Sequence, residues 1–220
     1  MEKTMKQSNK YHKILSLFKR NMEGDKKFLI GEWTTPELDF LKDIDWVWTE
    51  KVDGTNIRVM WNGKEVVFGG RSDEAQIHTA LLMRLQELFM RMEPRQKFAE
   101  IFGIEEQDTV LYGEGFGAGI QKEGGNYMSD KQDFVLFDVS INGLCLEREN
   151  VEDIASKFGL QIVPIIGHGT LEEAIALTKK GFKSKWGDFI AEGIVARPRI
   201  ELLTRRGERI ITKVKHKDFQ

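Results

Sequence analysis

The sequence predicts an α+β fold built on antiparallel sheet, and three observations carry that expectation. Runs rich in β-branched and aromatic residues are joined at Asn62-Gly63 and Asn142-Gly143, dipeptides suited to two-residue hairpin turns because both central residues take positive φ. Amphipathic stretches with apolar residues three and four apart lie between the hairpins. Strands and helices do not alternate regularly, as they would around a parallel sheet. The 220 residues are long enough to bury a sizeable core, and no repeat or low-complexity linker divides them, so one compact unit is the expectation.

In chain order, residues 11–20 read as a short helix, with Ile14, Leu15, Leu17 and Phe18 among lysines. Strands follow at 46–51, 56–61 and 65–69. Residues 74–92 read as a helix with Asp73 as N-cap and Ile77, Leu81, Leu85, Leu88 and Met92 on one face. Met83, Met90 and Met92 are assigned to its core side. Strands are expected at 109–113, 133–140 and 143–147, then a helix at 149–158 stopped by Gly159. Thr170 and Glu173 make a capping-box pattern for a helix running to Lys180. Strands at 190–197 and 208–215 close the chain. Trp46, Trp48 and Trp61 read as packing residues.

Composition narrows the function classes. With 40% hydrophobic and 31% charged residues the chain is an ordinary globular protein, and no run approaches the roughly 18 apolar residues of a membrane span. Met1 to Lys10 lack the apolar stretch of a secretory signal. Cys145 is the single cysteine, which excludes an internal disulfide framework and a cysteine-based zinc site. His12, His78, His168 and His216 lack metal-like spacing. A cytoplasmic setting, in a bacterial cell or a phage-infected host, is the default. The net charge is −2, but Arg197 to Lys217 holds eight Lys/Arg against Glu201 and Glu208. Such a stretch suits phosphate contacts, and equally a solvated surface.

The chemistry concentrates in a few motifs. Glu50-Lys51-Val52-Asp53-Gly54-Thr55-Asn56 falls where a strand ends and a tight turn begins. A lysine there can attack phosphorus only as the neutral amine, whereas an ordinary lysine titrates near ~10.4, so burial or neighbouring cations must favour the amine. Alone, the motif fits a hairpin turn with a solvated lysine. Tyr112-Gly113-Glu114-Gly115-Phe116-Gly117 sets a carboxylate between glycines, where a ligand can approach the backbone. Phe137-Asp138 offers an aromatic face to a base, or a further core residue. Glu192-Gly193-Ile194-Val195 puts a carboxylate at the mouth of a strand. Lys213 and Lys215, two apart on a strand, share one face opposite Thr212 and Val214 and can hold a phosphate.

These residues, in this order, resemble the covalent nucleotidyltransferase superfamily of ATP ligases and mRNA-capping guanylyltransferases, and within it most closely the RNA ligase 2-type family. Glu-Lys-x-Asp-Gly-Thr-Asn is the most specific piece, and Gly181-Phe182-Lys183-Ser184 leading into Glu192-Gly193-Ile194-Val195-Ala196-Arg197 adds to it. The resemblance runs from about Lys10 to Lys215. It implies a nucleotidyltransferase (ATP-grasp-like) fold of antiparallel sheets flanked by helices with the nucleotide pocket between them. It implies a single adenylyltransferase domain over 1–220, without the oligonucleotide-binding barrel or other C-terminal domain of larger relatives.

The implied activity is an ATP-dependent RNA ligase joining 3′-OH and 5′-phosphate ends through lysyl-AMP and an adenylated polynucleotide. The implied cofactors are ATP and Mg²⁺ or Mn²⁺. The implied partner is RNA, nicked or end-juxtaposed, with an RNA/DNA hybrid also admitted; no membrane is involved and the chain is expected to be a monomer. By the same resemblance Lys51 carries AMP, the Glu50 backbone reads the adenine amino group, and Asn56 organises the nick or 3′-OH. Arg71 contacts phosphate, Glu114 holds the ribose, Phe137 stacks on adenine, Glu192 serves the metal, and Lys213 and Lys215 grip the α-phosphate. A DNA ligase, a capping-type nucleotidyltransferase and a non-catalytic nucleic-acid-binding module are the alternatives.

Overall fold

The structure, a computed structural model, describes residues 10–90, 94–104 and 107–220. The chain divides into two compact units. An inner unit holds Asp53–Ile162 together with the described end of Met1–His12; a flanking unit holds Lys13–Val52 and Val163–Gln220. The flanking unit begins with β1 (Leu15–Ser16), β2 (Phe18–Arg20), β3 (Phe28–Trp33), α1 (Pro36–Phe40) and β4 (Trp46–Glu50). The inner unit contains β5 (Thr55–Trp61), β6 (Val66–Gly69), α2 (Thr79–Phe89), α3 (Pro94–Phe102) and β7 (Thr109–Gly117). It continues with α4 (Gly124–Tyr127), β8 (Gln132–Ile141), β9 (Leu144–Cys145), α5 (Arg148–Phe158) and β10 (Gln161–Ile162). The chain then returns to the flanking unit for β11 (Ile165–Gly169), α6 (Leu171–Lys180), β12 (Gly193–Pro198), β13 (Thr212–Lys215) and a 3-10 turn at His216–Phe219.

The inner unit is a sheet in the order β10-β8-β7-β5-β6 with β9 on β8, antiparallel except where β10 joins β8. Alternation along the strands sorts its residues by face. Ile57, Val59, Trp61, Leu111, Phe134, Leu136 and Val139 form one core with Leu81, Leu85 and Phe89 of α2, Phe98 and Phe102 of α3, and Val151, Ile154 and Phe158 of α5. Leu85 has no exposed surface, so truncating it to alanine costs about 2–5 kcal/mol. Asn56, Arg58, Met60, Tyr112 and Glu114 alternate onto the opposite face. A bulge there pairs Tyr112 with Asp138 but Gly113 with Leu136, which leaves Phe137 as the extra residue.

The flanking unit has a five-stranded sheet in the order β1-β13-β12-β4-β11, and β2 and β3 pair separately. Trp46 and Trp48 of β4, Ile194 and Ala196 of β12, and Val214 of β13 pack with Leu171 and Ala174 of α6. Lys213 and Lys215 therefore alternate onto the other face, with Val195 and Thr49 beside them in register. The capping box at Thr170 and Glu173 opens α6 as expected.

Several expectations need correction. Residues 11–20 form no helix: Leu15–Ser16 and Phe18–Arg20 are strands, with Leu17 N–H donating to Lys213 O (3.0 Å). A helix this short is marginal on its own, and the free edge of β13 supplies backbone partners instead. The helix expected at 74–92 is shorter, beginning at Thr79 after His78, because Asp73 is engaged with Arg58 rather than capping. Met83 and Met90 are exposed, since the buried stripe of α2 runs through Leu81, Leu85 and Phe89. Met92 lies outside the described residues. Helices α1 and α3 and strands β3 and β11 carried too weak a periodic signal to be expected. Trp46, Trp48 and Trp61 are buried as read. No helix among the described residues is long and apolar enough to cross a membrane.

Candidate active site

In the flanking unit, β4 ends at Glu50 and the next residue is Lys51, whose N–H donates to Gly193 O (2.9 Å). That bond ties the lysine backbone to the start of β12, beside Glu192. The Lys51 ammonium donates to Glu192 Oε2 (2.5 Å) and to Val52 O (3.3 Å). The Lys215 ammonium sits 2.5 Å from Glu192 Oε1. One carboxylate thus holds two ammonium groups, and all three side chains are mostly buried. The trio keeps one uncompensated positive charge, and Lys213 lies on the same sheet face. An excess of positive charge in a partly desolvated cluster favours a polyanion such as a triphosphate. Glycine is required at position 193: a Cβ would collide with the Val214 carbonyl oxygen.

Glu50 itself points the other way, into the protein, and is almost wholly buried. Its Oε1 accepts from the Ser184 hydroxyl (2.5 Å) and its Oε2 from the Lys185 N–H (2.9 Å). Ser184 Oγ also accepts from the Trp186 N–H (3.1 Å). Burial pushes the Glu50 carboxyl above its ordinary range, while the Ser184 and Lys185 hydrogen bonds act against that shift. The segment 182–191 folds back on itself through Ser184 N–H to Phe189 O and Ala191 N–H to Phe182 O, both 2.9 Å. It forms a clasp that holds the end of β4 and, one residue on, Lys51.

In the inner unit the turn after Lys51 is pinned from the loop that follows β7. Tyr127 OH accepts from the Asp53 N–H (3.1 Å), and Gln121 Nε2 donates to Gly54 O (3.0 Å). A Cβ at Gly54 would collide with the Gly115 carbonyl, so glycine permits the close approach of turn and β7. Asn56 pairs in register with Glu114, which brings both to one face of the sheet. Asn56 Oδ1 is buried and accepts no hydrogen bond from a described residue.

On the same face the Arg58 guanidinium is 1% exposed, donating to Gly70 O (2.7 Å) and Asp73 Oδ1 (2.9 Å). It fixes the 70–73 loop, on which Arg71 is exposed. Phe137 is half-buried against Met60, Val110, Tyr112 and Tyr11. The Tyr11 ring meets Phe137 edge-on at 5.0 Å, and its hydroxyl donates to the buried Asp138 carboxylate (2.9 Å). Burial also pushes the Tyr112 hydroxyl up, with a Ser140 hydrogen bond opposing it. Among the described residues, no three His, Cys, Asp or Glu side chains gather as a metal cluster.

The family model for RNA ligase matches residues 44–215, which takes in all of these residues except Tyr11. The chain belongs to the RNA ligase family. Solved structures of Naegleria gruberi RNA ligase share its fold. A Lys-to-Ala variant of that ligase with ATP and Mn gives a TM-score of 0.64 at 19% identity, over 84% of this chain and 53% of that one. The same ligase with PPi gives 0.63 at 21% identity over the same shares. A further Lys-to-Ala variant with ATP and Mn is matched over 97% of this chain and 63% of that one, with a TM-score of 0.64 at 19% identity. The chain therefore spans between about half and two thirds of the length of these ligases. At such identities the likeness concerns the nucleotidyltransferase fold. A comparison with curated proteins finds no match.

Within the flanking unit of this RNA ligase family member, Lys51, Glu192, Lys213 and Lys215 lie on adjoining strands or strand ends. Within the inner unit, Asn56, Glu114 and Phe137 belong to one sheet, and Arg71 to a loop at its edge. Sequence reasoning missed Tyr11, Arg58 and Tyr127, and named Ser184 only as part of a family-like motif, without a role. Arg58 had a usable signal, an arginine inside an otherwise apolar strand. The roles of Tyr11 and Ser184 depend on contacts more than a hundred residues away, which no local pattern announces.

Proposed function

We propose that the chain is an ATP-dependent RNA ligase that joins 3′-OH and 5′-phosphate ends, with Lys51 as the residue that carries AMP. One observation carries the proposal: the Lys51 and Lys215 ammonium groups share the Glu192 carboxylate, within the span that the RNA ligase family model matches.

Lys51 must shed a proton before it can attack, and Glu192 Oε2 stands within hydrogen-bond reach to receive it. The Lys51 amine then bonds the α-phosphorus of ATP, the bond from that phosphorus to the bridging oxygen breaks, and pyrophosphate leaves with the electron pair. Lys213 and Lys215 bind the α-phosphate oxygens and offset the charge that grows on them. In the second step an oxygen of the RNA 5′-phosphate bonds the AMP phosphorus, the nitrogen–phosphorus bond breaks, and Lys51 regains a proton. In the third, the 3′-hydroxyl loses its proton to solvent as its oxygen bonds the 5′-phosphorus, the bond from that phosphorus to the AMP oxygen breaks, and AMP leaves with the electron pair.

Glu114 binds the ribose hydroxyls and Phe137 the face of adenine, while Glu50 presents its backbone to the base and its side chain to the Ser184 clasp. Asn56, with a buried acceptor that no described residue fills, positions the 3′-OH or nick, and Arg71 contacts phosphate. Glu192 would hold a divalent ion together with substrate phosphates, since among the described residues no three His, Cys, Asp or Glu side chains gather into a protein cage. Mg²⁺ or Mn²⁺ would supply positive charge beside the transferring phosphate, while Glu192 Oε2 stays within reach of Lys51.

The test is to incubate the protein with ATP labelled in the α-phosphate, then chase with nicked RNA. Covalent label on the wild type, none on Lys51→Ala with an unchanged circular dichroism spectrum, and release of label into sealed RNA are expected. Label retained by the alanine variant overturns the assignment. Labelling from GTP alone, or sealing of DNA alone, overturns the ATP or RNA part of it.

A further inference from the structure

The connection from β12 to β13 has no part in the chemistry proposed above, yet it is tightly built. Thr204 N–H donates to Glu208 O (2.8 Å), Gly207 N–H to Thr204 O (2.9 Å) and Ile210 N–H to Leu202 O (2.9 Å). The Thr204 hydroxyl oxygen accepts from the Arg206 N–H (3.3 Å) and the Glu208 N–H (3.2 Å), which closes the tip around residues 204–208. At its base the arginines are neutralised: Arg209 grips Glu201 with two bonds (2.5 and 3.0 Å), and Arg199 pairs with Asp45 (3.2 Å).

The tip differs. Arg205 and Arg206 are both exposed, and neither forms an ion pair with a described residue. Ile200 and Leu203 beside them are 77% and 57% exposed.

We propose that this hairpin is a docking element for the RNA strand, with Arg205 and Arg206 on backbone phosphates and Ile200 and Leu203 against the sugars. The proposal rests on the ligase reading above. A guanidinium presents a fork of donors that matches phosphate oxygens, and a tip already fixed by its own hydrogen bonds loses little freedom when it binds. The chain as a whole is acidic by two charges, so two unpaired arginines at one rigid point are a local departure suited to a polyanion.

The position also fits docking rather than chemistry. Gly193 pairs with Lys215 at one end of the two strands, and the hairpin leaves from the other. The chain from Arg206 to Lys215 can reach no further than about 30 Å, so the contact falls on RNA away from the joining ends but within the span of a short duplex.

The experiment uses the full chain and a nicked RNA duplex, with binding followed by fluorescence polarisation in EDTA across a salt series. Lysyl-AMP formation from ATP is measured in parallel. Arg205→Ala/Arg206→Ala is expected to weaken binding at least tenfold at low salt and to flatten the plot of log affinity against log salt by about 1.4–1.8, the loss of two phosphate contacts. Its rate of lysyl-AMP formation should be unchanged. Arg205→Lys/Arg206→Lys should keep the salt slope, because charge is retained.

An unchanged slope in the alanine variant overturns the proposal, as does a wild type that binds no RNA. So does a loss of affinity accompanied by an equal loss of adenylation, which indicates a general structural defect. A wild type that binds RNA through this tip but never forms lysyl-AMP refutes the catalytic reading and leaves the docking surface standing.

Discussion

Ser184→Ala tests the clasp behind the reactive lysine. The substitution removes the hydroxyl that donates to Glu50 Oε1 at 2.5 Å and that accepts from the Trp186 N–H. Glu50 is 1% exposed, so water cannot readily replace the lost donor. A hydrogen bond to a charged group is worth about 1.5–3 kcal/mol, against about 0.5–1.5 kcal/mol for a neutral one. In a chain of this size each kcal/mol moves the melting temperature by about 2–4 °C, so a fall of about 3–12 °C is expected near pH 7.5.

The loss should depend on pH. Glu50 has an ordinary value of 4.5 and burial raises it, so the folded state holds the proton to higher pH than the unfolded chain does. Stability therefore declines as pH rises from about 4.5 through the raised folded value. The Ser184 hydrogen bond opposes that shift, and its removal raises the carboxyl further and deepens the decline. Near pH 4.5 folded Glu50 holds its proton to a greater extent than at pH 7.5, so the variant loses less of a charged hydrogen bond and the two proteins melt closer together. Thermal denaturation of both proteins at pH 4.5 and 7.5 measures the difference. Equal losses at the two pH values, or a loss below about 1 °C at pH 7.5, refute the reasoning.

Gly193→Ala drives a methyl group into the Val214 carbonyl and should cost about 1–3 kcal/mol in a denaturant titration, with slower lysyl-AMP formation because Lys51 bonds to this residue. Arg58→Ala leaves Asp73 and the Gly70 carbonyl without their buried partner. About 1–3 kcal/mol of stability should be lost, since the Asp73 carboxylate left behind is accessible to water, read from the shift in urea midpoint. Tyr11→Phe keeps the ring against Phe137 but loses the bond to Asp138, and Tyr11→Ala loses both. If Phe137 orients adenine, the alanine variant raises KM for ATP more than it lowers kcat, and the phenylalanine variant has the smaller effect. Steady-state adenylation kinetics separate the two.

The local parts of the fold were legible because their signals are local. Asn142 and Gly143 both take positive φ, as a two-residue hairpin turn needs, and the Thr170–Glu173 box caps α6. The motif lysines and carboxylates stood out because their chemistry is written in a few adjacent letters. Residues 11–20 were misread because their conformation is decided by pairing with β13, far away in sequence, and with β3 across the loop that follows β2. Arg58 and Asp73 illustrate the same limit. Arg58 stands in β5 as its strand pattern says, but its ion pair with Asp73 takes that carboxylate away from the helix-capping role its position suggested.

The position of β4 within its sheet bears on how the protein comes to fold. Both of its neighbours, β11 and β12, are made more than a hundred residues after it, so the strand that leads into Lys51 waits unpaired while the inner unit is synthesised. Closing a flexible loop of that length costs roughly 4 kcal/mol in chain entropy. The inner sheet removes much of that cost. β5 and β10, at the two ends of the inserted segment, are separated in it by β7 and β8, a spacing of about 14 Å. Once the inner unit has folded, it delivers the outgoing and returning chain close together. The lysine and the carboxylate that holds it can then meet only after the chain beyond Ile162 has returned to pair with β4.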